Sequence, residues 1–219
     1  MSIGTIVLTV VAVLIFFGAL ERVLDRMRLT DRAALLLIAA MFVGTLLPNI
    51  QLGRVSLGIG GAVIPLGVCV YLLMRADESK EVWRSLIGAV LTGTAVFGLS
   101  MLLPDEPEEM FMDPNLLYGL AGGAIAWILG RSRRGAFICG VMGVILADVA
   151  TAILNWSRGV DQQLVLGGAG AFDVVVMSGL IAVLLSELIG EIFERIKRGH
   201  QRPTREFKNG EFVRKESEK

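Results

Sequence analysis

The sequence predicts an all-α protein, a polytopic bundle of about seven transmembrane helices with its N-terminus outside and its C-terminus in the cytoplasm. Three observations carry this expectation. Of the 219 residues, 54% are hydrophobic and only 19% charged, with a mean hydropathy of +0.67. A soluble domain carries about 25% charge and about 45–50% apolar residues with glycine included, and here the 26 glycines come on top of the 54%. The apolar residues also gather into seven stretches near the roughly 20 residues that cross about 30 Å of hydrocarbon. Finally, the Lys and Arg residues between those stretches fall almost entirely on one side.

The stretches run from Ile3 to Leu20, Ala33 to Ile50, Val55 to Met74, Ser85 to Leu103, Pro114 to Gly130, Gly135 to Trp156 and Leu164 to Gly190. The fifth is short, and the last is long enough to tilt or to project into the cytoplasm. No basic residue precedes the first run, whereas a signal peptide has a positively charged leading region. A retained first span that enters N-end first is therefore expected. Connections are brief, so consecutive spans should be antiparallel neighbours. No repeat is visible and no soluble domain interrupts the series, which gives one seven-span domain over residues 1–190.

Orientation follows from the loops. The odd-numbered connections carry Arg22, Arg26, Arg28 and Arg32, then Arg75, Lys80 and Arg84, then Arg131, Arg133 and Arg134. With the basic residues beyond Gly190, nineteen of the 21 cations lie on that side; Arg54 and Arg158 alone lie on the other. The loop bearing Asp105, Glu106, Glu108, Glu109 and Asp113 falls outside, where acidic residues have little effect on topology. This is the pattern of a multi-pass membrane protein with its basic loops in the cytoplasm.

Residues 191–219 form a basic cytoplasmic tail. Ile192, Phe193 and Ile196 oppose Glu194, Arg195, Lys197 and Arg198, which suits a short interfacial amphipathic helix, and the polar remainder is expected to be disordered. Such a cluster anchors topology and can also bind anionic lipid. The bilayer is the partner implied most directly, no nucleic acid is expected, and the oligomeric state is not encoded.

Some chemistries are excluded early. The one histidine, His200, lies in the tail, so no His-based metal site or Ser-His relay can be built within the membrane. Cys69 and Cys139 sit inside apolar runs and suit no secreted disulfide framework. No cofactor is implied.

The deep charges are Asp148 in the sixth span and Asp173 in the seventh. A carboxylate at mid-membrane costs at least about 2.5–3.5 kcal/mol, so it faces a cavity or a partner. Asp148 lies eight residues inside Trp156, and Asp173 nine inside Leu164. At helical rise on these antiparallel helices, both acids sit roughly 12–14 Å below the outer boundary, in one layer. Asp148 would share a face with Thr151, Ala152 and Asn155, a polar stripe rising to the surface. Asp173 would share one with Ala169 and Gly170, in the run Gly167, Gly168, Ala169, Gly170, which admits close backbone approach. Pro65, after Gly58, Gly60 and Gly61, can kink or interrupt the third helix, as broken helices that line cavities do. Asp148, Asp173, Thr151, Asn155, Gly168, Gly170 and Pro65 are thus the candidate ligand- or ion-binding residues, with the two acids as the catalytic candidates. The bland alternative is that small residues pack the helices and a protonated Asp donates one hydrogen bond.

Gly60-Gly61-Ala62 with Ile64-Pro65-Leu66, Ala147-Asp148, and Gly167-Gly168-Ala169-Gly170 with Phe172-Asp173 resemble the domain-of-unknown-function 1614 family of prokaryotic multi-pass membrane proteins. The resemblance covers the second span to the seventh, and implies a bacterial or archaeal polytopic protein of the cytoplasmic (inner) membrane, multi-pass, without an established activity. A looser likeness is to intramembrane aspartyl proteases of the presenilin and prepilin-peptidase type, in which the second Asp follows Gly-x-Gly directly. In this chain Ala171 and Phe172 intervene, turning the acid by about 200° around a helix.

Three functions stay open. Asp148 and Asp173 could bind a proton, a cation or a cationic substrate group in a transporter or channel-like protein. They could share a water in an intramembrane protease. The chain could instead be a non-catalytic membrane scaffold or assembly factor. Enzymatic activity is undecided by the residues.

Overall fold

The computed structural model describes residues 31–76, 78–102, 114–130, 132–199, 205–208 and 211–214. The first apolar stretch, Arg22, Arg26 and Arg28, and the acidic loop around Glu108 lie outside the described residues. Contacts divide the chain into a unit ending at Ser186 and a second from Glu187.

The first unit is mostly helical. Helices α1 (Asp31–Leu46), α2 (Ile64–Met74), α3 (Ser79–Leu102), α4 (Pro114–Gly130) and α5 (Arg133–Ser157) are followed by α6, which runs over Val174–Gly199. Of these, α3 and α5 are long and apolar enough to cross a membrane; 24 residues of helix extend about 36 Å. Shorter apolar helical stretches cover Leu35–Leu46, Ile59–Met74, Leu117–Gly130 and Val174–Gly190. Leu46, Met74 and Leu102 are each more than four-fifths exposed. Apolar side chains in such numbers on the outside suit a lipid-facing surface better than a wet one.

Helix α5 organises the interior, packing most extensively on α3 and α4. It starts cleanly because Ser132, in extended conformation, accepts the Gly135 N–H through its hydroxyl at 3.0 Å, which satisfies a first-turn donor. Small residues set the packing distance. Gly122 and Gly123 of α4 and Gly140 of α5 all close on Ser178 of α6. The main core joins Cys69 and Leu72 of α2, Val141, Val144 and Ile145 of α5, and Val175 and Val183 of α6.

Two of the expected spans are not continuous helices. The third, expected from Val55, begins as strand β2 (Val55–Leu57), paired with β1 (Ile50–Leu52) ahead of it, then turns at Gly58 into a π-helical turn over Ile59–Val63 before α2. The seventh, expected to be helical from Leu164, begins with β3 (Leu164–Leu166), a glycine turn and a 3-10 turn over Gly170–Phe172, and becomes α-helical only at Val174. Strands β2 and β3 pair in parallel, Val55 with Leu164 and Leu57 with Leu166. Both segments thus follow one order, strand, glycine turn, a non-α turn (π-helical in the first, 3-10 in the second), helix, and they run side by side. The reason for the difference is a hydrogen-bond exchange. Gly58 donates its N–H to the Leu166 carbonyl at 2.8 Å and Leu164 donates to Arg54 at 2.9 Å, so backbone groups that a helix would pair internally are paired between segments.

In the second unit, the tail expected to be disordered carries an antiparallel pair, β4 (Arg205–Lys208) with β5 (Glu211–Arg214), in which Phe207 opposes Phe212. The sequence between the strands is Asn209-Gly210, the dipeptide that two-residue hairpins favour.

Candidate functional site

The two broken segments meet backbone to backbone. A Cβ on Gly61 would lie 2.5 Å from the carbonyl oxygens of both Gly167 and Gly170, closer than any side chain tolerates. Gly167 has φ +68, and a Cβ there would meet the Ala62 nitrogen. These two positions require glycine for space, and Gly167 also for conformation.

Around this crossing the second segment is tied into consecutive turns. Gly170 donates its N–H to Gly167 at 2.9 Å, and Asp173 donates to Gly170 at 3.0 Å. Asp173 itself is extended (φ −68, ψ 152), and its carbonyl accepts the Met177 N–H, the first bond of α6. Its carboxylate accepts the Val175 N–H at 3.0 Å through one oxygen and the Ala169 N–H at 3.2 Å through the other. Asp173 is therefore the N-cap of α6. It lies ahead of the helix and shares no helical face with Ala169 and Gly170, and a depth counted at helical rise from Leu164 does not apply to it.

Asp148 is half-buried in the middle of α5 and lies within electrostatic range of Asp173. The two acids differ in their bonding. Both oxygens of Asp173 are occupied by backbone donors, whereas among the described residues no group donates a hydrogen bond to Asp148.

The stripe expected above Asp148 is otherwise engaged. The Thr151 hydroxyl donates to Ala147 of its own helix at 2.9 Å. The Asn155 amide donates to the Gln162 side chain, and the Trp156 indole to the Gln162 carbonyl at 2.8 Å. These bonds fasten the end of α5 to the following loop, and Ala152 between them is buried. Gly168 is exposed, and a Cβ there would meet only the Val165 side chain. Gly170, at φ +62, packs against Thr45. Pro65 is buried at the start of α2, directly after the π-helical turn.

One residue had no signal in the sequence. Thr45 on α1 donates its hydroxyl proton to Met41 at 2.8 Å and accepts the Ala171 N–H at 2.9 Å. Beside it Phe42 meets Phe172 edge to face, ring centroids 5.3 Å apart. A threonine in an apolar run reads as ordinary packing, and its partner lies 126 residues away. Among the described residues, no three His, Cys, Asp or Glu side chains gather into a metal-binding cluster.

These features define a helical protein with membrane-capable helices, in which two glycine-rich broken segments cross beside a pair of acids. The pattern for the protein of unknown function family DUF1614 matches residues 15–185, and the chain belongs to that family. No curated protein and no solved structure matches it.

Proposed function

We propose that this chain is a seven-span protein of a prokaryotic cytoplasmic membrane, N-terminus outside, in which the Asp148 carboxyl takes up and releases a proton or a cation as part of transport. The observation that carries the reading is the asymmetry of the acid pair. Asp173 is fixed by two backbone N–H groups, and Asp148 stands beside it with no hydrogen bond from the described residues. A carboxylate placed without a donor next to another acid is ready to accept a proton or a cation.

Two further facts support the setting. The basic residues follow the alternation that fixes inward and outward loops. Parallel pairing of β2 with β3 suits segments that enter from the same side, as the third and seventh spans do. Broken segments that abut through glycines recur where membrane proteins bind ions or substrates.

A scaffold is the second reading, and the Asp173 N-cap favours it, because that carboxylate already has a structural role. The protease reading fits less well, since Asp173 already uses two of its acceptor sites to cap α6 and is held there by the backbone.

The test is Asp148→Asn in a strain lacking the native gene, compared at equal membrane levels. Asn keeps size and hydrogen bonding but cannot titrate. Loss of the function that the wild-type chain restores supports transport; full complementation by Asp148→Asn leaves the scaffold.

A further inference from the structure

Away from the acids, α3 carries an open groove of about 470 Å³ lined by Lys80, Trp83, Arg84, Ile87, Leu91 and, from α4, Leu129. The α3 residues recur at intervals of three and four and so form one stripe. From Lys80 to Leu91 the stripe is roughly 16 Å long. Its composition is graded. Both cations lie at the N-terminal end of α3, Trp83 sits between them, and the rest is apolar. Trp83 is 66% exposed, Ile87 56% and Leu91 50%, so the stripe faces outward. The first-turn acid, Glu81, accepts the Ser132 hydroxyl at 3.0 Å and lies 3.9 Å from Arg134, so it is engaged with the start of α5.

We propose that this groove holds one acyl chain of an anionic phospholipid, its headgroup phosphate between Lys80 and Arg84. The inference rests on the membrane reading above, which puts this end of α3 at the cytoplasmic face. Charge complementarity selects the occupant. Cations at a cytoplasmic interface attract anionic headgroups, and an indole settles at headgroup level. Lys and Arg stems lie along apolar surface while their heads reach the polar layer. The apolar run below then takes the chain.

The test uses the full chain, purified in mild detergent and offered equal amounts of phosphatidylglycerol and phosphatidylethanolamine with identical chains. Bound lipid is counted by native mass spectrometry. Phosphatidylglycerol should be retained in roughly tenfold preference. Lys80→Gln combined with Arg84→Gln should bring the ratio near one, while Lys80→Arg with Arg84→Lys keeps the preference. Ile87→Trp fills the groove and should lower retention of both lipids. Equal retention of the two lipids by the wild type, or an unchanged ratio in the double Gln variant, overturns the proposal. So does cross-linking of Trp83→Cys between two copies, which would make the groove a contact between chains. Carbonate washing of membranes separates the two levels of failure. Release of the chain removes the membrane reading itself, whereas an embedded chain without headgroup preference removes only the lipid site.

Discussion

Thr45 and Ala171, 126 residues apart, are joined by a 2.9 Å hydrogen bond from the Ala171 N–H to the Thr45 hydroxyl. That hydroxyl also donates to Met41, so one side chain links α1 to the turn that precedes Asp173. Thr45→Val keeps the shape and removes both bonds, leaving a backbone donor in the interior without a partner. A loss of about 1–3 kcal/mol is expected, read as a lower thermal midpoint in detergent, with Thr45→Ser close to wild type.

The crossing of the two broken segments makes a sharper demand. Gly61→Ala and Gly167→Ala should each cost about 3 kcal/mol or more, because a methyl group there meets backbone that cannot move aside. Gly67→Ala and Gly98→Ala are the controls: a Cβ at either meets nothing within 4 Å, and both should leave the midpoint unchanged or slightly raised. Comparable losses at all four positions would mean that helix packing in general, and not this crossing, sets the requirement.

The two acids should respond differently to the same substitution. An Asn at Asp173 offers one acceptor where the native side chain uses two, and its amide would face a backbone N–H. Asp173→Asn should therefore lower stability by about 1–2 kcal/mol. Asp148→Asn should leave stability within about 0.5 kcal/mol. Chemical unfolding of both variants measures this directly, and equal losses would count against the assigned difference in bonding.

Fastening of α5 to its loop gives another measurable contact. Gln162→Ala removes the amide that accepts from Asn155 and leaves the carbonyl that accepts from Trp156. The bonds are exposed, so the stability change should stay below about 0.5 kcal/mol. Protease nicking after Arg158 should nevertheless quicken, because the loop loses one tether.

Topology has its own test. In a Cys-free background, a probe at Glu108→Cys should react with an impermeant thiol reagent from outside, and one at Ser217→Cys only after the membrane is opened. Labelling of Glu108→Cys from the cytoplasmic face would reverse the orientation that the basic residues imply.

The sequence alone determined the helical class, the apolar stretches and the clustering of Lys and Arg between them, because each depends on composition within a short window. It also isolated Asp148, Asp173 and the glycine runs, since a charge or a cluster of glycines in an apolar stretch is conspicuous wherever it folds. What it could not determine is how Val55–Ala62 and Leu164–Asp173 are paired. Strand, tight turn and helix can all be built from the same apolar residues, so hydropathy does not separate them. Which one forms depends on where the backbone N–H and C=O groups find partners, and those of Gly58 and Leu164 find them more than a hundred residues away. That pairing moved Asp173 from a helix face to a helix cap. The tertiary structure thereby decided which acid is fixed by backbone donors and which has none among the described residues.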